Sequence, residues 1–164
     1  MDDHLRLSVT NLKKEGKFNM SHSFTGSFTH SVDDKGRFIM PLDFRNILGP
    51  QCKITRGLDK NTLYVYSMDE FEKLTERLLN EPTSKKTIRQ LHRIIIGGAI
   101  TVDLDKQGRC LIPQVYRIYA NIGSSVIATG LGNKIELVSA ELYKELNLDD
   151  FDIAEAIEDT SINM

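Results

Sequence analysis

A chain of 164 residues, 40% apolar and 27% charged, holds one domain or two half-domains around a shared core. No apolar run approaches the roughly 18 residues of a membrane span, and the polar first segment has no signal-peptide core. The net charge of −2 hides an uneven distribution: residues 1–20 carry +1, residues 21–147 carry +3, and residues 148–164 hold six acidic groups without a lysine or arginine.

Residues 1–23 read as a flexible N-terminal extension, either a mobile arm or translation from an upstream start. From Phe24 apolar and polar residues alternate through Val32, the period of a half-buried strand. Asp33-Asp34-Lys35-Gly36-Arg37 is then a turn, since Asp bonds its own backbone and Gly tolerates positive φ. Phe38 to Met40 return as a strand, and Pro41 suits the first turn of a short helix whose inner face is Phe44, Ile47 and Leu48. Strands near Lys53–Arg56 and Thr62–Tyr66 flank a turn, and Ser67-Met68-Asp69-Glu70 is a capping box opening a helix with Phe71, Leu74 and Leu78 as its stripe. A helix from Ser84 to Ile94, ending near Gly97-Gly98, links this first unit to a second.

The second unit repeats the first. Val32-Asp33-Asp34-Lys35-Gly36-Arg37-Phe38-Ile39-Met40-Pro41 returns 72 residues later as Leu104-Asp105-Lys106-Gln107-Gly108-Arg109-Cys110-Leu111-Ile112-Pro113. Phe44-Arg45 aligns with Tyr116-Arg117, Gly57-Leu58 with Gly130-Leu131, and Ser139 caps the second closing helix as Ser67 caps the first. Each unit is strand, charged turn, strand, short helix, hairpin, helix. The expected fold is α+β, a small twisted sheet or split β-barrel built jointly by two pseudo-symmetric copies. The expected organisation is an extension (1–23), a first repeat (24–80), a linking helix (81–98), a second repeat (99–147) and an acidic disordered tail (148–164).

A body this weakly basic contacts nucleic acid only through where its charges sit. Asp33 with Arg37, and Asp105 with Arg109, can be plain ion pairs that stiffen a turn, a contribution of about 0–1 kcal/mol when exposed. Their duplication points further, to two guanidinium groups on one side flanked by Lys35 and Lys106, with the tip of a β-ribbon fitting a major groove. The two roles are compatible, with Asp33 and Asp105 fixing turns that Gly36 and Gly108 permit. Lys85, Arg89 and Arg93 form a basic stripe whose simpler reading is a solvated helix face. Arg45 and Arg117 are expected to pair with nearby carboxylates, and Arg56 to cap its loop or pair with Asp59.

Catalysis finds little support. His4, His22, His30 and His92 lack ligand spacing, and no G-x-S-x-G, phosphate-binding glycine loop or C-x-x-C occurs. Neither a metal nor a cofactor is expected. Cys52 and Cys110 lie in apolar strand contexts, which fits buried free thiols in a reducing cytosol.

The paired motifs, with Thr55-Arg56-Gly57-Leu58-Asp59, Ser84-Lys85-Lys86 and Gly97-Gly98-Ala99, resemble the MraZ family from about Phe24 to Leu146. The resemblance implies tandem SpoVT-AbrB repeats of the swapped-hairpin type and a bacterial transcriptional regulator at the nucleoid. It further implies a ring-shaped homo-oligomer that binds short direct repeats in double-stranded DNA, upstream of its own division and cell-wall gene cluster. The DNA-facing arginines would be Arg37 and Arg109; Lys35 fits the first motif, whereas the second has Gln107 there and its lysine at Lys106. The rival reading is an AbrB-like antitoxin-type module acting through a protein partner.

Overall fold

Each copy's first strand is completed by the other copy. The computed structural model describes residues 23–164, so nearly all of the proposed extension, with His4 and His22, lies outside the described residues. The first copy comprises β1 (Ser27–Ser31), β2 (Arg37–Ile39), α1 (Leu42–Leu48), β3 (Gln51–Arg56), β4 (Leu63–Ser67) and α2 (Met68–Asn80). After α3 (Lys86–Leu91) and a π-helical turn (His92–Ile96), the second copy repeats the series. Its elements are β5 (Ile100–Asp103), β6 (Arg109–Leu111), α4 (Gln114–Tyr119), β7 (Ser125–Gly130), β8 (Ile135–Val138) and α5 (Ala140–Glu145).

The main sheet has the order β1-β7-β8-β4-β3-β5. Exchanging every strand for its counterpart returns the same order reversed, so a pseudo-twofold axis passes between β4 and β8. β1 pairs antiparallel with β7, and β5 with β3, so the outermost strands are exchanged between copies. A separate two-stranded ribbon joins β2 to β6, with Phe38 opposite Cys110 at its centre. The fold is α+β with two tandem, pseudo-symmetric copies, as the duplication led one to expect.

The ribbon and the short helices cover one face of the sheet. Phe38, Met40, Cys110 and Ile112 from the ribbon, with Phe44, Leu48, Tyr116 and Ala120 from α1 and α4, bury against Ile54, Val65, Val126 and Leu137. Phe24 and Phe28 both meet Phe44 edge-on, at 5.4 and 5.3 Å between centroids. Cys52 and Cys110 are buried free thiols, and contact with the Cys52 sulfur, then burial, pushes the Cys110 thiol well up. The opposite face carries Tyr64 and Tyr66, packed against Phe71 and Leu74 of α2 and Ile95 of the π turn.

Local chemistry explains the boundaries. Ser67 Oγ accepts from Glu70 N at 3.2 Å and Ser139 Oγ from Leu142 N at 3.0 Å, so both closing helices start at a serine cap. The box at Ser67 is half made, because the Glu70 carboxylate turns to Lys73 instead. Pro41 and Pro113 stand one residue before their helices, with φ of −50° and −53°; their carbonyls accept from Arg45 N and Arg117 N, both at 2.9 Å.

Two segments differ from expectation. The linking helix changes to π geometry after Leu91, where Gly97 N reaches back to His92 O at 2.9 Å; the wider turn coincides with seating Ile95 against the tyrosine cluster. The acidic segment, expected to be disordered, carries a 3₁₀ turn (Leu148–Asp150) and α6 (Ile153–Ile157). Asp152 caps α6 by accepting from Glu155 N at 3.0 Å, and Asn147 Nδ2 donates to Asp150 at 2.8 Å. Acidic side chains that dominate the charge also serve as caps, and apolar residues between them complete short turns.

Because β1 and β5 find their partners only across the copies, a monomeric fragment of residues 24–94 should give no cooperative thermal transition by circular dichroism, whereas mixing it with residues 95–164 should restore one. A cooperatively melting monomer of the first fragment would contradict the exchange.

Candidate nucleic-acid interface

The two charged turns are the same object built twice. Asp33 Oδ1 accepts from Lys35 N at 3.0 Å and Arg37 N at 2.9 Å, and its Oδ2 accepts from Arg37 Nε at 2.8 Å. Asp105 Oδ1 accepts from Gln107 N at 2.9 Å and Arg109 N at 2.8 Å, and its Oδ2 from Arg109 Nε at 2.5 Å. Gly36 N and Gly108 N donate to the Asp33 and Asp105 carbonyls, each at 2.9 Å. The glycines sit at φ +85° and +79°, the left-handed region that favours glycine. The position after next from each aspartate supplies only an amide, so Lys35 in one turn and Gln107 in the other serve equally.

Each aspartate therefore templates its turn and orients its arginine. Donation from the arginine's backbone amide is the leading cause that holds the Asp33 and Asp105 carboxyls below the ordinary value of 3.8, with the guanidinium adding to it.

In place of the expected hairpin tips, the structure presents a ribbon face. β1 and β2 flank the first turn without pairing, since β1 pairs with β7 and β2 with β6. In the β2–β6 register Arg37 opposes Leu111 and Ile39 opposes Arg109. With Phe38 and Cys110 buried between them, those four side chains share the outer face. Arg37 and Arg109 are diagonal neighbours across the ribbon, the relation in which residues stand about 7–8 Å apart, within reach of long side chains. Their side chains are 26% and 33% exposed, with the apolar Ile39 and Leu111 between them at 52% and 41%.

Each arginine commits Nε to its aspartate. The terminal nitrogens, with four N–H groups, donate to nothing among the described residues, leaving a fork suited to a phosphate or a guanine edge. Lys35 and Lys106 are exposed on turns at opposite ends of the ribbon. The fold thus unites the two arginines and separates the two lysines.

Arg45 and Arg117 make no salt bridge among the described residues, contrary to the expected carboxylate pairing. Each lies against the turn glycine of the opposite copy. A Cβ on Gly36 would stand 2.7 Å from Arg117 Nη1, and one on Gly108 would stand 2.6 Å from Arg45 Cζ, inside any real carbon contact. Only the equivalent repeat positions of Arg45 and Arg117 hinted at a shared role; nothing local shows that each crosses to the other copy. Arg56, expected to cap its loop or pair with Asp59, makes no salt bridge among the described residues and stacks its guanidinium over the Tyr119 ring at 4.4 Å.

Other candidates fall away from the ribbon. Arg89 donates to Thr83 O at 2.9 Å and Ser84 O at 3.1 Å, and Arg93 to Gln90 Oε1 at 2.8 Å. The π turn that continues this basic helix packs on the sheet face opposite the ribbon. His30 is a half-buried strand residue opposite Val126, and His92 Nε2 meets Leu78 O at 2.7 Å. Among the described residues no cluster of His, Cys, Asp or Glu could hold a metal ion, and no helix is long and apolar enough to cross a membrane.

The depressed carboxyl values fix a sign. The bond from each ionised aspartate to its turn contributes fully above about pH 3.8, the unfolded value, and is lost as pH falls through the lower folded value. In a carbon-detected titration Asp33 and Asp105 should both titrate below 3.8; a midpoint at or above that value would contradict the templating role.

The family described as "MraZ protein, putative antitoxin-like" matches twice, over residues 23–94 and 95–159. A relative from Clostridium tetani named transcriptional regulator MraZ is 40% identical over 142 residues, spanning 85% of this chain and 99% of its own. Relatives of the same name come from Caldanaerobacter subterraneus, 42% identical over 73% of this chain and 83% of its own, and from Leuconostoc mesenteroides, 41% identical over 83% and 97%. That shared name denotes a regulator of transcription, a non-enzymatic class. By the paired matches and by identity over most of its length, the chain belongs to the MraZ family.

Proposed function

We propose that this chain is a sequence-specific DNA-binding transcriptional regulator, acting at the nucleoid on short direct repeats upstream of its own division and cell-wall gene cluster. The observation that carries the reading is the diagonal pair Arg37 and Arg109 on the outer ribbon face, each oriented by its own aspartate with its fork left open. The names of the relatives support it. In this reading Arg37 and Arg109 contact bases or phosphates, while Lys35 and Lys106 extend the contact as point charges at the two ends.

The turns are electrically modest. The charges of residues 33–37 (Asp33, Asp34, Lys35 and Arg37) sum to zero, and those of residues 105–109 (Asp105, Lys106 and Arg109) to +1. One arginine–guanine pair supplies about 1–3 kcal/mol of discrimination, too little for a specific site. A ring of copies engaging successive repeats raises affinity through effective concentration. Exposed Leu42 on α1, and Val115 and Ile118 on α4, offer apolar surface for such self-association. The same surface, with the antitoxin-like description of the family, supports the rival reading of a module that acts through a protein partner.

The test is a gel shift on DNA from upstream of the chain's own gene, across salt concentrations. Arg37→Ala and Arg109→Ala should each weaken specific binding by about 1–3 kcal/mol with oligomer size unchanged by sedimentation. Full affinity in both variants would reject the reading and favour the protein-partner module.

A further inference from the structure

We infer that Arg45 and Arg117 are positioning residues that hold the DNA-facing turn of the opposite copy, Arg117 setting the turn of Arg37 and Arg45 setting the turn of Arg109. This rests on the DNA-binding reading of the ribbon face. It also supplies what that reading lacks, a reason for the two turns to act as one unit.

Gly36 and Gly108 are buried although their turns are exposed. What covers them is the guanidinium from the other copy, lying where a Cβ would have been. The glycine is required by its left-handed backbone, and the missing side chain leaves the space that the flexible end of the arginine fills. The attachment is closed by hydrogen bonds. Arg117 Nε donates to Ile112 O at 3.0 Å, and Ile112 N donates to Gly36 O at 2.9 Å, so Arg117 is anchored to the residue whose amide grips the turn it covers. On the other side Met40 N donates to Gly108 O at 2.9 Å, while the buried Arg45 Nε has no hydrogen-bond partner among the described residues. Arg45 is held chiefly by its packing on Gly108.

Three roles remain open to an arginine in such a place: direct contact with phosphate, general support of the fold, or control of one turn. Only control of one turn makes its effect depend on which ribbon arginine is present, and makes that dependence cross between the copies.

The experiment is a set of double-mutant cycles in the full-length protein, read by binding to DNA from upstream of its own gene. Arg117→Ala should weaken binding about tenfold in the native background and in Arg109→Ala, but less than about twofold in Arg37→Ala, as expected for coupled neighbours. Arg45→Ala should show the converse dependence. The slope of log affinity against log salt should stay unchanged; a slope smaller by about one would make the residue a phosphate contact and overturn the proposal. Equal losses in both backgrounds would also overturn it.

Amide hydrogen exchange without DNA provides a readout independent of binding. In Arg117→Ala the Gly36 and Arg37 amides should exchange faster while those of Gly108 and Arg109 are unmoved, and no selective change would refute the positioning role. Arg117→Lys keeps the charge without the planar fork and should behave as the alanine variant does, also serving where Arg117→Ala does not fold. Rescue by lysine would contradict the proposal. If Arg37→Ala itself left DNA binding intact, the functional reading would fail while the exchange experiment still judged the packing.

Discussion

The exchange of strands between the two copies is the constraint on which the rest of the molecule depends. A lone copy would leave its first strand, β1 or β5, and its ribbon strand, β2 or β6, without a partner strand. Pairing β2 with β6 puts Phe38 and Cys110 on the pseudo-twofold axis and turns both inward. The alternation of a strand then turns Arg37 and Arg109 outward together. Burial of the ribbon's inner residues and presentation of its arginines are therefore one event, and disturbing the Phe38 layer would disturb the outer face.

Rigidity at that face comes from cheap components used repeatedly. An exposed aspartate–arginine pair contributes little by itself. Asp33 and Asp105 do more because each satisfies two backbone amides before it meets a guanidinium. The arrangement removes conformational freedom that a free arginine would lose on meeting a ligand. Its cost is electrostatic, since each carboxylate offsets the charge of the arginine it orients. In the proposed function, a face so nearly neutral would attract DNA weakly at long range and rely on oriented contacts and on many copies.

Much of this was legible in the residues. The 72-residue offset gave the duplication, alternation gave the strands, and Asp-x-x-Gly-Arg gave the turns, because each of these signals is local. Ser67 and Ser139 announced their helices for the same reason. What the residues did not reveal is non-local. That β1 would join β7 rather than β2 depends on the whole sheet, and so the hairpin tip became a ribbon face. Arg45 and Arg117 carry no local mark of the glycine they cover, which lies in the other copy. Net charge over the last residues concealed the capping pattern at Asp152 and the apolar Phe151 and Ile153 around it. The π turn hid likewise behind residues that also suit an ordinary helix.

The claim that carries the account is that the two ribbon arginines meet DNA together. The most direct measurement is the arginine Nε–H region of a nitrogen-edited NMR spectrum of the full-length protein, titrated with DNA from upstream of its own gene. The account expects the Arg37 and Arg109 signals to shift in step at the same DNA concentration, with Arg89 and Arg93 left in place. Movement of Arg89 and Arg93 while the ribbon pair stays still would contradict it.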